Sequence, residues 1–259
     1  MLRHHRRRQN IILLCFIALC LSGTVLAVHL IAKHRHEQQE RQIIRAIAAH
    51  IEIQETDDFA KQMEIIRLFV NRNSRNQIDD EFRSLWRDNV LLYRRFLDTV
   101  EKRNPAPAPM ECSTRIALME NIIREKLNYR TRTLNLFDTQ NALNAHVLLE
   151  ILNPQTNHWE AQGADYATYW RNKDNGQRLS IIDVLANRDK AEPCTEKACG
   201  WDINSTEGFA VKTLYKYLRI ASIVDRAANT RFSVYAPDVD PHAAYETSKG
   251  NGTFCVLIR

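Results

Sequence analysis

The chain has 259 residues, of which 44% are hydrophobic and 26% charged, a globular composition that excludes a disordered or fibrous protein. Its formal net charge is +5, but four of its arginines lie between residues 3 and 8, ahead of the first apolar segment. Without those four, the 36 basic residues fall to 32 against 31 acidic ones, so the rest of the chain is nearly neutral. We therefore expect no nucleic-acid partner.

The first apolar segment, residues 11–32, contains no Lys, Arg, Asp or Glu. As a helix rising about 1.5 Å per residue it is roughly 33 Å long, which is enough to cross the hydrocarbon core of a bilayer. The arginines ahead of it predict a cytoplasmic N-terminus. We therefore expect residues 1–32 to form a single anchor in the inner membrane, with the bulk of the chain in the periplasm. A cleaved signal peptide, ending near Val25-Leu26-Ala27, is the alternative.

Helices are predicted to follow the anchor. Residues 33–56 are expected to form a helical stalk, because isoleucines recur there at helical spacing in a polar sequence. A second helix is predicted to begin after Thr56-Asp57-Asp58, whose side chains are good caps, and to end within 71–76. A third is predicted over 79–101, before the proline-rich connector 104–109. The core-facing stripe of this third helix is expected to consist of Phe82, Trp86, Tyr93, Leu97 and Val100.

The domain after the stalk, residues 57–259, is predicted to belong to the α+β class. A helix begins at Cys112, because apolar residues recur at i, i+3, i+7 and i+11 from Ile116 onwards. Three segments with the composition of strands follow this helix, namely 129–137, 146–152 and 159–165. One helix followed by adjacent strands is the order of an α+β fold rather than of an alternating α/β fold. Residues 209–226 are predicted to add a helix.

Three residues of this domain have the side chains that a cysteine nucleophile site requires. Cys112 lies at a predicted helix start, where the helix dipole favours the attacking thiolate. His146 begins a predicted strand and is suited to accept the thiol proton and return it to the leaving group. Asp165 closes the neighbouring strand, and a hairpin would bring its carboxylate beside His146 to orient the imidazole.

The motifs around these residues resemble those of bacterial members of the transglutaminase-like superfamily. They read ECSTRIAL over 111–118, AHVLLE over 145–150 and WEAQGADY over 159–166. The resemblance covers residues 57–170 and leaves 171–259 as a C-terminal extension. It implies a papain-like core, in which the helix bearing the cysteine packs on an antiparallel sheet. It also implies acyl transfer through a thioester, with Cys112 as nucleophile, His146 as base and Asp165 as its orienting partner.

Two positions depart from the pattern of that family. Met110-Glu111 precedes the cysteine where many relatives have a small residue, and Tyr166 follows the aspartate where relatives often have proline. The carboxylate of Glu111 is expected to raise the pKa of the thiol. The backbone N–H of Cys112 is the expected donor to the oxyanion of the tetrahedral intermediate.

Other polar residues have alternative readings. His158 is a competing base, expected in an exposed turn, and Glu150 is expected either as a second partner of the histidine or as a solvated residue. Cys194 and Cys199 are expected to close a disulfide loop in an exported domain, with Cys255 left free or competing for one of them.

Together these observations predict a membrane-anchored, extracytoplasmic cysteine enzyme that hydrolyses amides or peptides or transfers the acyl group to an amine. Its expected partners are a peptide or protein acyl substrate, the membrane through residues 11–32, and unidentified envelope proteins. We expect neither a cofactor nor a metal. The alternative is a membrane-tethered binding or assembly module of an envelope or polysaccharide system, which would keep the same fold without turnover.

Overall fold

The computed structural model describes residues 2–138, 146–203, 218–237 and 239–240 of the chain. The chain divides into two compact units, Met1–Ile43 and Ile44–Arg259. The first helix, α1, runs over Leu2–Ala49. Within the second unit the side chains of Ile47 and Ile51 are buried. The predicted stalk over 33–56 is therefore helical only to Ala49, and its last apolar residues belong to a core.

Within the residues whose side chains the structure describes, no helix contains a stretch both long and apolar enough to cross a membrane. More than half of the predicted anchor over 11–32, namely residues 11–22, lies outside the described side chains. The anchor over 11–32 therefore stays a prediction.

Four helices precede the main sheet in the second unit. They are α2 (Phe59–Asn73), α3 (Asp80–Leu85), α4 (Asn89–Val100) and α5 (Cys112–Leu127). The predicted capping of α2 is confirmed, since the side chain of Asp58 accepts a hydrogen bond from the backbone N–H of Lys61. The predicted beginning of α5 at Cys112 is confirmed as well.

The prediction of one helix over 79–101 is wrong, because the chain turns between α3 and α4. Asp88 adopts an extended backbone and its carboxylate accepts hydrogen bonds from the N–H groups of Val90 and Leu91, which begins a new helix. Trp86 lies at the break, and its side chain is 47% exposed. It is therefore not part of the apolar core, because the helical spacing that predicted its burial does not continue through the turn.

Seven strands form one antiparallel sheet, which confirms the α+β class. They are β3 (Thr131–Asp138), β4 (His146–Asn153), β5 (His158–Gly163), β6 (Thr168–Asn172), β7 (Ala191–Cys194), β8 (Leu218–Asp225) and β9 (Thr230–Tyr235), in the order β7-β6-β5-β4-β3-β8-β9. The short helix α6 (Ile181–Ala186) connects β6 to β7 and packs on the sheet with Leu148 and Trp170 in the core. On the site side, α5 packs against β4, and α2 packs against both α5 and β5.

The predicted helix over 209–226 is wrong where the structure describes it, because residues 218–225 form strand β8. Ile220, Ala221 and Ile223 are all buried between the flanking strands β3 and β9. A continuous apolar run fits a buried strand and a buried helix equally well, and pairing with the two neighbours decides between them. Residues 204–217, the other part of that prediction, lie outside the described residues.

A second, two-stranded sheet joins the end of α2 to the beginning of α5. Strand β1 (Ser74–Asn76) follows α2 directly and pairs in parallel with β2 (Ala108–Met110). The residue after β2, Glu111, is the N-cap of α5. The pairing places Asn76 opposite Met110. It therefore holds polar residues of the α2–β1 segment close to the start of α5.

Candidate functional site

The cysteine of the site is the first residue of α5. Its N-cap, Glu111, has an extended backbone, and its carboxylate caps no backbone N–H of the first turn but accepts a hydrogen bond from Ser113 Oγ. The Cys112 side chain is partly buried, and it is the free cysteine among the residues whose side chains the structure describes. Cys194 and Cys199 form the predicted disulfide, which is thereby confirmed, whereas Cys255 lies outside the described residues.

The register of the β4–β5 hairpin brings the histidine and the aspartate together. Leu149 pairs with Gln162, so the same antiparallel register extended by three residues sets His146 opposite Asp165. His146 is the first residue of β4, whereas Asp165 lies in the turn just after β5. Both side chains are buried.

The structure brings all three residues into one cluster. The Cys112 sulfur, an imidazole nitrogen of His146 and a carboxylate oxygen of Asp165 lie within 4.8 Å of one another. His146 Nδ1 is 3.8 Å from Asp165 Oδ2, which is longer than a direct hydrogen bond. The ring of Tyr166 lies beside the imidazole, with 5.7 Å between ring centroids. The three side chains come from a helix start, a strand start and a turn.

A fourth residue, Arg115, completes the cluster and was not identified from the sequence. Its side chain is fully buried one turn along α5 from the cysteine, with Nη1 3.1 Å from Asp165 Oδ1. The sequence does contain a pattern that points to Arg115. Leu118, Met119 and Ile122 form one buried stripe of α5, and Arg115 occupies the first position of that stripe. A charged residue in a buried apolar stripe needs a buried partner, and here that partner is Asp165.

Two asparagines, also not identified from the sequence, hold the aspartate from the α2–β1 side. Asn71 Nδ2 donates to the backbone oxygens of Asp165 and Ala164, at 2.7 and 3.1 Å. Asn76 Nδ2 donates to Asp165 Oδ2 at 3.4 Å. The aspartate is therefore fixed through its backbone and its carboxylate together.

Burial sets the protonation of the cysteine. It raises the pKa of the Cys112 thiol to about 11, and the nearby carboxylate of Asp165 acts in the same direction. The backbone N–H groups of Val147 and Ser113 favour the thiolate but do not compensate, and Glu111 raises this pKa as expected, with a smaller effect than burial. The helix start therefore does not lower the pKa of this thiol below its ordinary value, contrary to the expectation for Cys112.

Burial also sets the charges of the other two members. Burial, together with the smaller effect of the Arg115 guanidinium, lowers the pKa of His146 to about 4. It raises the pKa of Asp165 to about 6, against the opposing effect of Arg115. At neutral pH the site therefore holds a protonated thiol, a neutral imidazole and a carboxylate paired with an arginine.

The two alternative acid–base candidates have other partners. Glu150 is completely buried, and its carboxylate accepts hydrogen bonds from Arg132 Nε and from the backbone N–H of Ile181 at the start of α6. It is therefore neither a partner of His146 nor solvated. His158 begins β5 rather than lying in the turn, and its Nε2 is 3.2 Å from Asp183 Oδ2.

Cys112, His146 and Asp165 carry the kinds of ligand that bind zinc in proteins, namely a thiolate, an imidazole and a carboxylate. The guanidinium of Arg115 lies 3.1 Å from the carboxylate and already supplies the positive charge there, so a cation at this carboxylate would face repulsion. A second group, Glu192 with Cys194 and Cys199, offers no thiolate because its two sulfurs form the disulfide.

No protein-family model, curated protein or solved structure matches the chain. The transglutaminase-like resemblance of the three motifs therefore stays a prediction. On geometry alone the cluster can perform nucleophilic chemistry, because a thiol, an imidazole and an orienting carboxylate lie within reach of one another.

Proposed function

We propose that the chain is a cysteine enzyme of the transglutaminase-like kind, which transfers acyl groups through Cys112, His146 and Asp165. The observation that carries the proposal is the convergence of these side chains within 4.8 Å from three separate elements. The packing of α5 on β4 within an antiparallel sheet supports a papain-like core as the finer description of the fold.

The proposed reaction begins with the neutral pair of thiol and imidazole. Cys112 Sγ attacks the carbonyl carbon of an amide while its proton passes to His146, which forms a tetrahedral intermediate with a negative oxygen. His146 then protonates the leaving nitrogen, the C–N bond breaks and a thioester remains on Cys112. Water or an amine attacks this thioester, loses its proton through His146 and returns the free thiol.

The protonation state of the resting site bears on how attack occurs. Because the thiol pKa lies near 11 and the imidazole pKa near 4, a preformed thiolate–imidazolium pair is not the resting state. Proton transfer must therefore accompany bond formation, with the backbone N–H of Cys112 at the helix start as the donor proposed for the oxyanion. Asp165 would then face a transient imidazolium, whose charge it stabilises.

We further propose that this site works outside the cytoplasm, on a chain anchored in the inner membrane through residues 11–32. The disulfide between Cys194 and Cys199 supports export, since such bonds persist in oxidising compartments. The substrates proposed are amides of peptides or proteins, with envelope proteins as further partners.

Acylation of Cys112 by a generic activated ester tests the proposed function. The full chain is mixed with p-nitrophenyl acetate, and the adduct is located by peptide mass mapping. We expect acetylation of Cys112 in the wild type, a rate about 10²-fold lower in His146→Ala, and no adduct at this position in Cys112→Ala. His158→Ala is the matched control, because that histidine pairs with Asp183 outside the site. Equal rates in the wild type and His146→Ala would overturn the proposal.

One observation favours a second candidate function, a membrane-tethered binding or assembly module on the same fold. A thiol with its pKa near 11 is protonated at neutral pH and a weak nucleophile. If the wild type acquires no acyl group on Cys112 under conditions that acetylate free cysteine, this candidate replaces the enzyme.

A further inference from the structure

We propose that Arg115 is a positioning residue of this site: its guanidinium fixes the carboxylate of Asp165 and thereby the orientation of the His146 imidazole toward Cys112. The inference rests on the proposed function, because it assigns Arg115 a part in the same reaction. Arg115 is neither the base nor the acid of the reaction, because an arginine side chain stays protonated in proteins. It acts through the residue that orients the base.

Every nitrogen of the guanidinium has a partner. Nε donates to Ser74 Oγ at 2.9 Å, and Nη1 donates to the backbone oxygen of Asp165 at 3.3 Å while lying 3.1 Å from the carboxylate oxygen Oδ1. Nη2 donates to the backbone oxygens of Asn71 and Ser74, both at 3.3 Å. Because the guanidinium is planar, these contacts fix its rotation as well as its position.

The position of Asp165 explains why this matters. It lies in the turn after β5, so no pairing within that strand holds it. One nitrogen of Arg115 contacts both its backbone oxygen and its carboxylate, and Asn71 holds the backbone oxygen from α2. Asp165 is 50 residues from Arg115 along the chain. Cys112, in contrast, is one helical turn from Arg115 on α5. Arg115 therefore connects the element that carries the nucleophile to the turn that carries the orienting carboxylate.

The titratable groups of the site come from two parts of the described chain. Arg115, Cys112 and Glu111 belong to α5 and its cap, and Asp165 belongs to the turn after β5. Of these, the arginine is the cation that lowers the pKa of His146. A spectroscopic titration of the imidazole therefore reports directly on the charge at position 115.

A second buried arginine provides the matched control. Arg67 of α2 donates through Nε to the backbone oxygen of Ala167 at 3.1 Å and through Nη1 to Gln162 Oε1. It is 1% exposed and holds the same turn after β5, but its contacts are with residues other than Asp165. Loss of Arg67 therefore removes a buried arginine from this turn without releasing the carboxylate.

The experiment compares the wild type, Arg115→Met, Arg115→Lys and Arg67→Met in the full chain. Two quantities are measured: the rate of Cys112 acetylation by p-nitrophenyl acetate and the titration of His146 by NMR of the labelled imidazole. We expect Arg115→Met to slow acetylation about 10²-fold, since small misplacements of catalytic groups have effects of that size. It should also raise the pKa of His146. Arg67→Met should change the rate less than about 3-fold and leave that pKa unchanged.

Two further variants separate positioning from general support of the fold. In an Asp165→Asn background, Arg115→Met should cause no additional loss of rate, because the route through the carboxylate is already broken. Arg115→Lys keeps the charge but has three donors on a flexible stem, so its rate should fall between those of wild type and Arg115→Met while the pKa of His146 stays low. If Arg115→Met does not fold, the lysine variant decides: a rate equal to that of wild type overturns the inference.

Other results overturn the inference in different ways. Equal losses in Arg115→Met and Arg67→Met would assign Arg115 to the fold alone, and a full additional loss in the Asp165→Asn background would exclude action through the carboxylate. Failure of the proposed function looks different, since the wild type itself would then form no adduct at Cys112. In that case an unchanged pKa of His146 in Arg115→Met would overturn the inference as well. A raised pKa would support the electrostatic effect of Arg115 on His146 even though Cys112 is not acylated.

Discussion

His146 Nδ1 and Asp165 Oδ2 face each other at 3.8 Å across the end of the β4–β5 hairpin, with both residues buried. This distance is longer than that of a direct hydrogen bond. Catalytic hydrogen bonds are often long in the free enzyme and shorten when substrate binds. The carboxylate is already held by Arg115, so we expect the imidazole to be the partner that moves.

This relationship predicts the effect of removing the charge of the carboxylate. Asp165→Asn should lower the rate of Cys112 acetylation about 10²-fold, because an amide stabilises a transient imidazolium less than a carboxylate does. The measurement is adduct formation against time by mass spectrometry. Asp183→Asn is the control, since that acid pairs with His158 outside the site. A rate for Asp165→Asn within 2-fold of wild type would remove the aspartate from the mechanism.

The buried thiol predicts the pH dependence of alkylation. Since the pKa of Cys112 is raised to about 11, its reaction with iodoacetamide should still accelerate between pH 9 and pH 10. Free cysteine under the same conditions approaches its plateau there, because its thiol ionises near pH 8.5. Peptide mapping gives the rate at Cys112 alone. A plateau below pH 9 would show that the thiol is not desolvated as its burial implies.

The opposite pKa shifts of His146 and Asp165 predict opposite effects on stability. The histidine pKa is lowered from 6.5 to about 4, so its native form binds fewer protons than the unfolded chain, and its contribution grows as pH rises from 4 to 6.5. The aspartate pKa is raised from 3.8 to about 6, so its native form binds more protons and its contribution falls as pH rises from 3.8 to 6. In the wild type the two therefore nearly cancel.

Single variants should expose each contribution. Relative to wild type, His146→Ala should lose about 3 kcal/mol of unfolding free energy as pH rises from 4 to 6.5, and Asp165→Asn should gain about 3 kcal/mol over nearly the same window. Urea unfolding at several pH values measures both differences. Differences that do not vary with pH would contradict the shifted pKa values of the two groups.

The buried pair of Arg132 and Glu150 predicts a variant with a purely structural effect. Glu150→Ala leaves Arg132 buried without its carboxylate, which should lower the free energy of unfolding by about 3–5 kcal/mol. The acetylation rate of Cys112 should stay unchanged at temperatures where the variant is folded, because Glu150 binds the start of α6 rather than His146. Thermal unfolding and the acetylation assay measured on one sample separate the two effects. A slower reaction in a fully folded variant would reinstate Glu150 as a partner of the histidine.

Local signals predicted most of the elements that carry the site. The apolar period from Ile116 marks α5, and the capping side chain of Asp58 marks α2, because these patterns depend on residues a few positions apart. These signals failed at β8, where pairing with neighbouring strands decides between helix and strand. They also failed at Asp88, where a helix cap interrupts the apolar stripe of the predicted helix over 79–101. The hairpin that faces His146 with Asp165 was also accessible from the sequence, since the turn and the strand lengths determine its register.

By itself the sequence determined the residue types of the site and their order along the chain, since a cysteine at a helix start and a histidine at a strand start are local facts. Only the tertiary structure decided the electrostatics. Arg115 meets Asp165 across 50 residues, and burial by separate elements leaves the thiol protonated and the imidazole neutral. A pKa depends on every charge and every water molecule displaced around a group, and these are fixed only when distant segments pack together.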